Sequence, residues 1–233
     1  MVYNWKEFAR SRLYPSICLL CGAEAEPAGL CLPCRLELPY NRHCCRHCAL
    51  PLPLTDAGRL CGQCQRRPPP FHRAVIPLLY RAPIDYLVTR FKFDGGLHCG
   101  HLLASLLADA LHSGVEDAPQ LLIPVPLHRD RISQRGFNQA LELTRPLARQ
   151  FGLPVDCTTV VRTQATAAQS RLGKRQRQRN LRAAFGLDGP IKARHLALVD
   201  DVVTTGATAA TLATLLLHGG AERVDLWALA RTP

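Results

Sequence analysis

The stretch Leu196–Thr208, LALVDDVVTTGAT, decides how the rest of the chain is read. LALV is a buried-strand run, and ATLATLLLHGG (210–220) is a helix stopped by Gly219 and Gly220. Between them, Thr204, Thr205, Gly206, Ala207 and Thr208 form a turn of small residues leading into the helix. Their backbone N–H groups, hydroxyls and the helix N-terminus make an anion cradle, and Gly206 lets the backbone approach closely. Asp200 and Asp201 stand at the strand end, just before this cradle. Carboxylates repel phosphate, so the ligand must offer the acids something else. A ribose 5-phosphate satisfies both parts: its 2′- and 3′-hydroxyls donate to the acids, and the Thr/Gly loop holds the 5′-phosphate. A Walker A loop is excluded, because no GK[ST] follows.

Strands alternate with helices around this stretch. AVIPLLY, LLIPVPL, TTVVR, LALVDDV and RVDLWALA read as strands. PIDYLVTRFKF, HCGHLLASLLADALHSG and FNQALELTRPLARQFG read as helices, the last with Pro146 inside and so expected to kink. The alternation implies βαβ units and a mostly parallel sheet covered on both faces. Ligands in such sheets sit beyond the carboxyl ends of the strands, so the loops after LLIPVPL and LALVDDV are the places to look.

The chain has 233 residues, enough for one medium domain and a small one. The break falls at RRPPP (66–70), where helix and central strand both fail and the cysteine cluster has just ended. This gives a cysteine-rich zinc-binding domain over 1–70 and an α/β domain over 71–233. No apolar run reaches the roughly 18 residues of a membrane span. The N-terminal MVYNWKEFARSRLYP lacks an apolar signal region, so a cytoplasmic location without membrane insertion is expected.

Nine of the eleven cysteines precede position 65, at a density that in a reducing compartment argues for metal over disulfides. Eight of the nine form four CxxC knuckles: Cys18 and Cys21, Cys31 and Cys34, Cys45 and Cys48, Cys61 and Cys64. Two knuckles complete one tetrahedral four-thiolate site, so eight ligands make two structural zinc sites with no open position for substrate. Whether neighbouring knuckles pair or cross over is open. Cys45 is preferred to Cys44 because it keeps the spacing, and His43 and His47 are not needed as ligands. Two such sites, each of net charge about −2, lower the formal +11 to about +7.

The positive excess is concentrated. From His128 to Arg182 there are twelve Lys/Arg against three Asp/Glu, which points to a polyphosphate or nucleic-acid partner or makes a solvated basic face. In PVPLHRDRISQRGFNQA (124–140), Arg129, Arg131 and Arg135 supply charge, Gly136 permits a tight turn and Asn138 can cap the next helix. The segment from Arg162 to Phe185 holds seven basic residues and no acid. Arg162, Gln169, Lys174, Arg175, Arg177 and Arg179 can cover a pyrophosphate or track a nucleic-acid backbone, with no aromatic residue in the basic run to stack on a base.

LALVDDVVTTGAT resembles the PRPP-binding motif of type I phosphoribosyltransferases, four apolar residues, two acids, two apolar residues and TTGAT. PRPP is 5-phosphoribosyl 1-pyrophosphate, bound with Mg²⁺. The resemblance implies a loop after LLIPVPL that holds pyrophosphate and a basic segment that closes over it. Together with the cysteine module, FKF (91–93) and RGFNQA (135–140), the chain resembles the ComF family and its GntX branch of DNA-utilisation proteins over nearly its whole length. That resemblance implies a type I phosphoribosyltransferase-like sheet flanked by helices after a double zinc ribbon, and adds Lys92, Arg135, Asn138 and Gln139 to the PRPP site. It also implies a role in DNA uptake (competence) or DNA utilisation, with single-stranded DNA and the uptake machinery as partners. A transferase, a non-catalytic PRPP sensor and a single-strand-binding module with a vestigial pocket all fit. No cysteine follows Met1 to serve as a glutaminase nucleophile, so ammonia release from glutamine is not expected.

Overall fold

The structure is a computed structural model that describes residues 16–26, 29–56, 58–93, 96–115, 117–163 and 183–233. Its centre is a parallel sheet of β1 (Ala74–Val75), β2 (Leu78–Leu79), β3 (Leu121–Pro124), β6 (His195–Val203) and β7 (Arg223–Arg231). The order is β1-β7-β6-β3, with β2 also pairing β7 further along its length. β6 and β7 run side by side from His195↔Arg223 to Val203↔Arg231, so their apolar runs carry the sheet.

Both faces of these strands are apolar, and alternate residues serve opposite layers. Ala197, Val199, Trp227 and Leu229 face a core shared with α3 (Ile84–Phe93), α4 (Leu97–Gly114) and α6 (Gln139–Phe151). Leu196, Leu198, Leu226 and Ala228 face the core under α7 (Ala207–His218). The α/β class and the assignments of α3, α4, α6, α7, β6 and β7 match the sequence reading. α6 continues through Pro146.

Two strand assignments need correction. AVIPLLY is not one strand: it splits into β1 and β2 around Ile76 and Pro77, and Pro77 has no N–H to give a ladder. TTVVR does not join the parallel sheet. Its Val160–Arg162 (β4) pairs antiparallel with Phe185–Leu187 (β5), a strand that the sequence reading did not include.

The cysteine-rich segment, with its short helices α1 (Leu32–Leu36) and α2 (Gly62–Arg66), docks along the β1/β2 edge. Leu79 N–H donates to Pro39 C=O at 2.8 Å, Ala74 N–H to His47 C=O at 2.9 Å, and the buried Asn41 amide to the carbonyls of Ala49 and Ile76. Arg35 forms an ion pair with Asp109 of α4. Cys18, Leu30 and Leu38 lie in the same core as Leu78 and the α3–α4 pair. Among the described residues no helix is long and apolar enough to cross a membrane.

Where α4 crosses α3, Gly100 sits against Phe91: a Cβ there would meet Phe91 Cε2 at 2.5 Å, and that ring is fully buried. The Gly100→Ala protein is expected to lose about 1–3 kcal/mol through overpacking, read as a lower midpoint in thermal or urea unfolding.

Candidate functional site

β3 stops at Pro124, opposite Val199, whereas β6 runs on to Val203 against β7. Asp200 and Asp201 therefore lie where β6 outruns its neighbour, at the carboxyl end of the sheet. Each acid uses one oxygen on the following backbone: Asp201 N–H donates to Asp200 Oδ1 at 2.9 Å, and Val202 N–H to Asp201 Oδ1 at 2.7 Å. Asp201 Oδ2 receives Lys92 Nζ at 2.5 Å, from the penultimate residue of α3. Burial, and after it the Asp201 carboxylate, push Asp200 well above the ordinary carboxylate range, while Lys92 works against them. Asp200 is thus reluctant to carry its charge beside the Lys92–Asp201 ion pair.

The turn follows at once. Gly206 takes φ +74°, a left-handed conformation in which a Cβ is costly, and begins α7. Thr205 Oγ1 accepts from Ala207 N–H at 3.3 Å, and the first helical bond runs from Ala210 N–H to Gly206 C=O at 2.9 Å. The N–H groups of Thr208 and Ala209 precede that first bond and point along the helix dipole. Thr204 and Thr205 are exposed; Gly206, Ala207 and Thr208 are half-buried.

The segment after β3 is a short helix, α5 (Arg129–Arg135), where the sequence suggested a loop. Gly136 ends it at φ +81°, in the expected tight turn. Arg135 donates to Gln139 Oε1 at 3.0 Å; burial and the neighbouring Arg131 pull its guanidinium below its usual value, against the more distant charge of Asp201. Arg162 on β4 feels both Arg131 and Asp200 and stacks over Phe185 at 5.2 Å. Lys92 thus pairs with Asp201, while Arg135 lies near enough to Asp201, and Arg162 to Asp200, to feel their charge. Asn138 plays a different part: its Oδ1 caps α6 through Ala140 N–H, and its Nδ2 donates to Val125 C=O. Arg129 is exposed on α5. Gln169, Lys174, Arg175, Arg177 and Arg179 lie outside the described residues, as does the N-terminal segment 1–15.

Two residues escaped the sequence reading. Phe93, the last residue of α3, is 65% exposed, with the Arg135 guanidinium 5.2 Å from its ring centre. Arg231, at the end of β7, is 5% exposed, and its Nη1 donates to Val203 C=O at 3.0 Å and to Thr204 C=O. The only signal in the sequence was a charge closing the apolar run Leu226–Ala230.

The cysteines fall into two groups, Cys18/Cys21/Cys31/Cys34 and Cys45/Cys48/Cys61/Cys64, so neighbouring knuckles pair. All sulfur atoms within a group lie within 4.8 Å of one another. The Cys21–Cys31 and Cys48–Cys61 sulfur distances are 3.6 and 3.7 Å. A tetrahedron with Zn–S near 2.3 Å has an edge of about 3.8 Å, so both groups fit the ion, and both distances are far too long for a disulfide. Cys61 N–H donates to Cys45 Sγ and Cys64 N–H to Cys61 Sγ, the kind of bond that steadies a thiolate. Although burial opposes it, such backbone bonds lower Cys18 to about 6 and Cys45 to about 7. Cys44 and His43 stand outside the groups, and His47 stacks on Phe71 with Nε2 against Pro69 C=O.

Comparison with known proteins agrees with this anatomy. A family model described as a double zinc ribbon domain matches residues 9–65. The chain is 38% identical over 225 residues to DNA utilization protein YhgH of Escherichia coli O157:H7, covering 94% of this chain and 98% of that protein. It is 35% identical over 213 residues to Competence protein F of Haemophilus influenzae, covering 87% and 90%. The chain belongs to the ComF/GntX family. Among solved structures, the purine phosphoribosyltransferase of Pyrococcus horikoshii Ot3 aligns over 63% of this chain and 73% of its own, at 18% identity and a TM-score of 0.33, too distant to assign a ligand. The ComF/GntX chain thus combines a double zinc ribbon with a parallel α/β sheet.

Two outcomes are expected of this ComF/GntX protein. Metal analysis should find two zinc ions per chain at pH 7.5, lost on acidification below about pH 6 as thiolates gain protons. The second concerns Asp200. Because its folded value is raised, the folded state holds the proton more tightly, and stability falls as pH rises from the unfolded value through the folded one. The Asp200→Asn protein keeps the acceptor oxygen for Asp201 N–H and removes this penalty. It is expected to melt a few degrees higher at pH 8, about 2–4 °C per kcal/mol for a chain of this size, and to lose that advantage near pH 4.

Proposed function

We propose that this protein binds PRPP with Mg²⁺ at the carboxyl end of its sheet, in the service of DNA uptake or utilisation. The observation that carries the reading is the pairing of Asp200–Asp201 with the TTGAT turn and the first N–H groups of α7. In this reading the 5-phosphate lies on Thr204, Thr205, Gly206, Ala207 and Thr208, and the ribose hydroxyls donate to Asp200 and Asp201. Lys92 and Arg135 then turn from the acids toward the pyrophosphate, and Asn138 holds the α6 turn in place. The paired carboxylates and the neighbouring hydroxyls suit a hard cation. Mg²⁺ bound with the pyrophosphate would neutralise charge on the leaving oxygens.

If the site turns over, the bond from the anomeric carbon to pyrophosphate breaks and a bond to a nucleophile forms. Lys92, Arg131, Arg135 and Arg162 would hold the departing charge. Among the described residues no side chain of the site is placed as an obvious general base, so a PRPP sensor on the same residues is an equal outcome of this reading. The two modules, 1–70 and 71–233, divide the work: metal-held scaffold and ligand site. Cysteines held as metal ligands belong in a reducing compartment such as the cytoplasm.

Single-stranded DNA is a second reading, favoured by the exposed face of Phe93 under Arg135, which suits stacking of an unpaired base beside a basic surface. The test is calorimetric titration of zinc-loaded protein with PRPP and Mg²⁺, with pyrophosphate release followed in parallel. Saturable binding is expected, with at least about 100-fold loss in the Asp200→Asn/Asp201→Asn double variant, the scale of two lost charge-assisted contacts. Absence of binding at millimolar PRPP, with DNA affinity that falls steeply with salt and survives the double variant, would replace this reading by the second.

A further inference from the structure

The C-terminal end of α3 places a cation on one of the site's own carboxylates. Lys92 Nζ reaches Asp201 Oδ2 at 2.5 Å, and the two side chains are only 18% and 14% exposed. The other Asp201 oxygen accepts Val202 N–H at 2.7 Å. Each oxygen of Asp201 thus has a donor before any ligand arrives. The main chain at Lys92 is held from both sides. Phe91 before it is fully buried, against Gly100 and with its ring 5.5 Å from that of Phe137. Phe93 after it carries the Arg135 guanidinium 5.2 Å from its ring centre. What can move is the Lys92 side chain, an ammonium on a flexible four-carbon stem.

A ligand that offers hydroxyls to Asp201 must compete with this ion pair. Taking the ammonium away leaves a largely buried carboxylate without its counter-charge, next to Asp200, and that is strongly penalised. A hydroxyl is neutral and cannot replace the lost charge; its hydrogen bond is weaker than the one an ammonium makes. The ammonium leaves readily only where a second anion waits within the swing of its stem. Ribose 5-phosphate brings none on that side, because its one phosphate sits at the far end of the sugar, on the Thr204–Thr208 turn. In PRPP the pyrophosphate is on the anomeric carbon, next to the carbon that bears the 2-hydroxyl. It therefore arrives beside the carboxylates together with the hydroxyls.

We propose that Lys92 is a specificity-determining residue that closes Asp201 in the free protein and yields it only to a sugar phosphate carrying a second anion at the anomeric carbon. Lys92 thereby selects PRPP over ribose 5-phosphate, the sugar phosphate that remains when pyrophosphate is lost to water. Once the pyrophosphate has gone, Lys92 returns to Asp201 and displaces the hydroxyls. For the identity of the ligand this rests on the PRPP reading; the closing of Asp201 rests on the ion pair alone.

Calorimetric titration of the zinc-loaded full chain with ribose 5-phosphate and with PRPP, at one Mg²⁺ concentration, measures the selection. Lys92→Met is expected to bind ribose 5-phosphate at least about ten-fold more tightly than the wild type, and PRPP at least about ten-fold more weakly, each the scale of one charge-assisted contact. Damage to the fold would weaken both ligands together, so the opposite signs set the role apart. Lys92→Gln, which can still donate to Asp201 Oδ2 but without a charge, should lie between; it is the variant to read where Lys92→Met does not fold. Lys92→Arg keeps the charge and should keep the wild-type preference. Ribose 5-phosphate bound no more tightly by Lys92→Met and Lys92→Gln than by the wild type, or an unchanged preference for PRPP in both, would overturn the inference. If the wild type fails to bind PRPP, the PRPP reading falls, and the ribose 5-phosphate comparison alone decides whether Lys92 closes Asp201.

Discussion

The parallel pairing of β6 with β7 is the constraint on which the rest depends. It runs from His195↔Arg223 to Val203↔Arg231 in one constant register. Because the side-chain period is two, this register sends Leu196, Leu198, Leu226 and Ala228 to one core and Ala197, Val199, Trp227 and Leu229 to the other. A slip by one residue would exchange the two faces and move Arg231 away from Val203. The same register carries β6 past the end of β3, and that overhang gives the two acids a place beyond β3 while still alongside β7.

The site is built under tension. Two carboxylates adjacent in sequence, one driven toward its neutral form by burial and by the other, are tolerated because Lys92 neutralises Asp201 and each takes a backbone N–H. In the proposed reading a hydroxyl-rich ligand relieves this arrangement where a bare phosphate would not, so the acids and the turn would serve one ligand. The cost in stability falls where function commonly places it. Against it stand the two apolar cores and the docked cysteine segment, whose hydrogen bonds to β1 and β2 cover an otherwise open sheet edge.

Much of this was legible in the sequence, for physical reasons that differ by element. β6, β7, α4 and α7 are long and uniformly apolar or periodic, and LALVDDVVTTGAT carries its strand, acids and turn within thirteen residues. The spacing of the CxxC units gave the metal ligands, but their pairing depends on how the knuckles fold back, which spacing leaves open. β4 misled because three apolar-leaning residues say nothing about which partner they take; Phe185–Leu187 claimed them across the basic segment. AVIPLLY read as one strand until Pro77 removed a donor. Phe93 looked like the end of an amphipathic helix, and its exposure is a property of the assembled rim. Arg231 was least visible, since its bonds to the Val203 and Thr204 carbonyls come from the register of β7 on β6, set by contacts distant in sequence.

The central claim is that Asp200, Asp201 and the Thr204–Thr208 turn read one sugar phosphate. The most direct measurement is a crystal structure of the zinc-loaded protein with PRPP and Mg²⁺. The account predicts the 5-phosphate on the backbone N–H groups and hydroxyls of residues 204–208, with both ribose hydroxyls on the two carboxylates. A ligand held elsewhere, or a phosphate on the turn with the sugar turned away from Asp200 and Asp201, would contradict it.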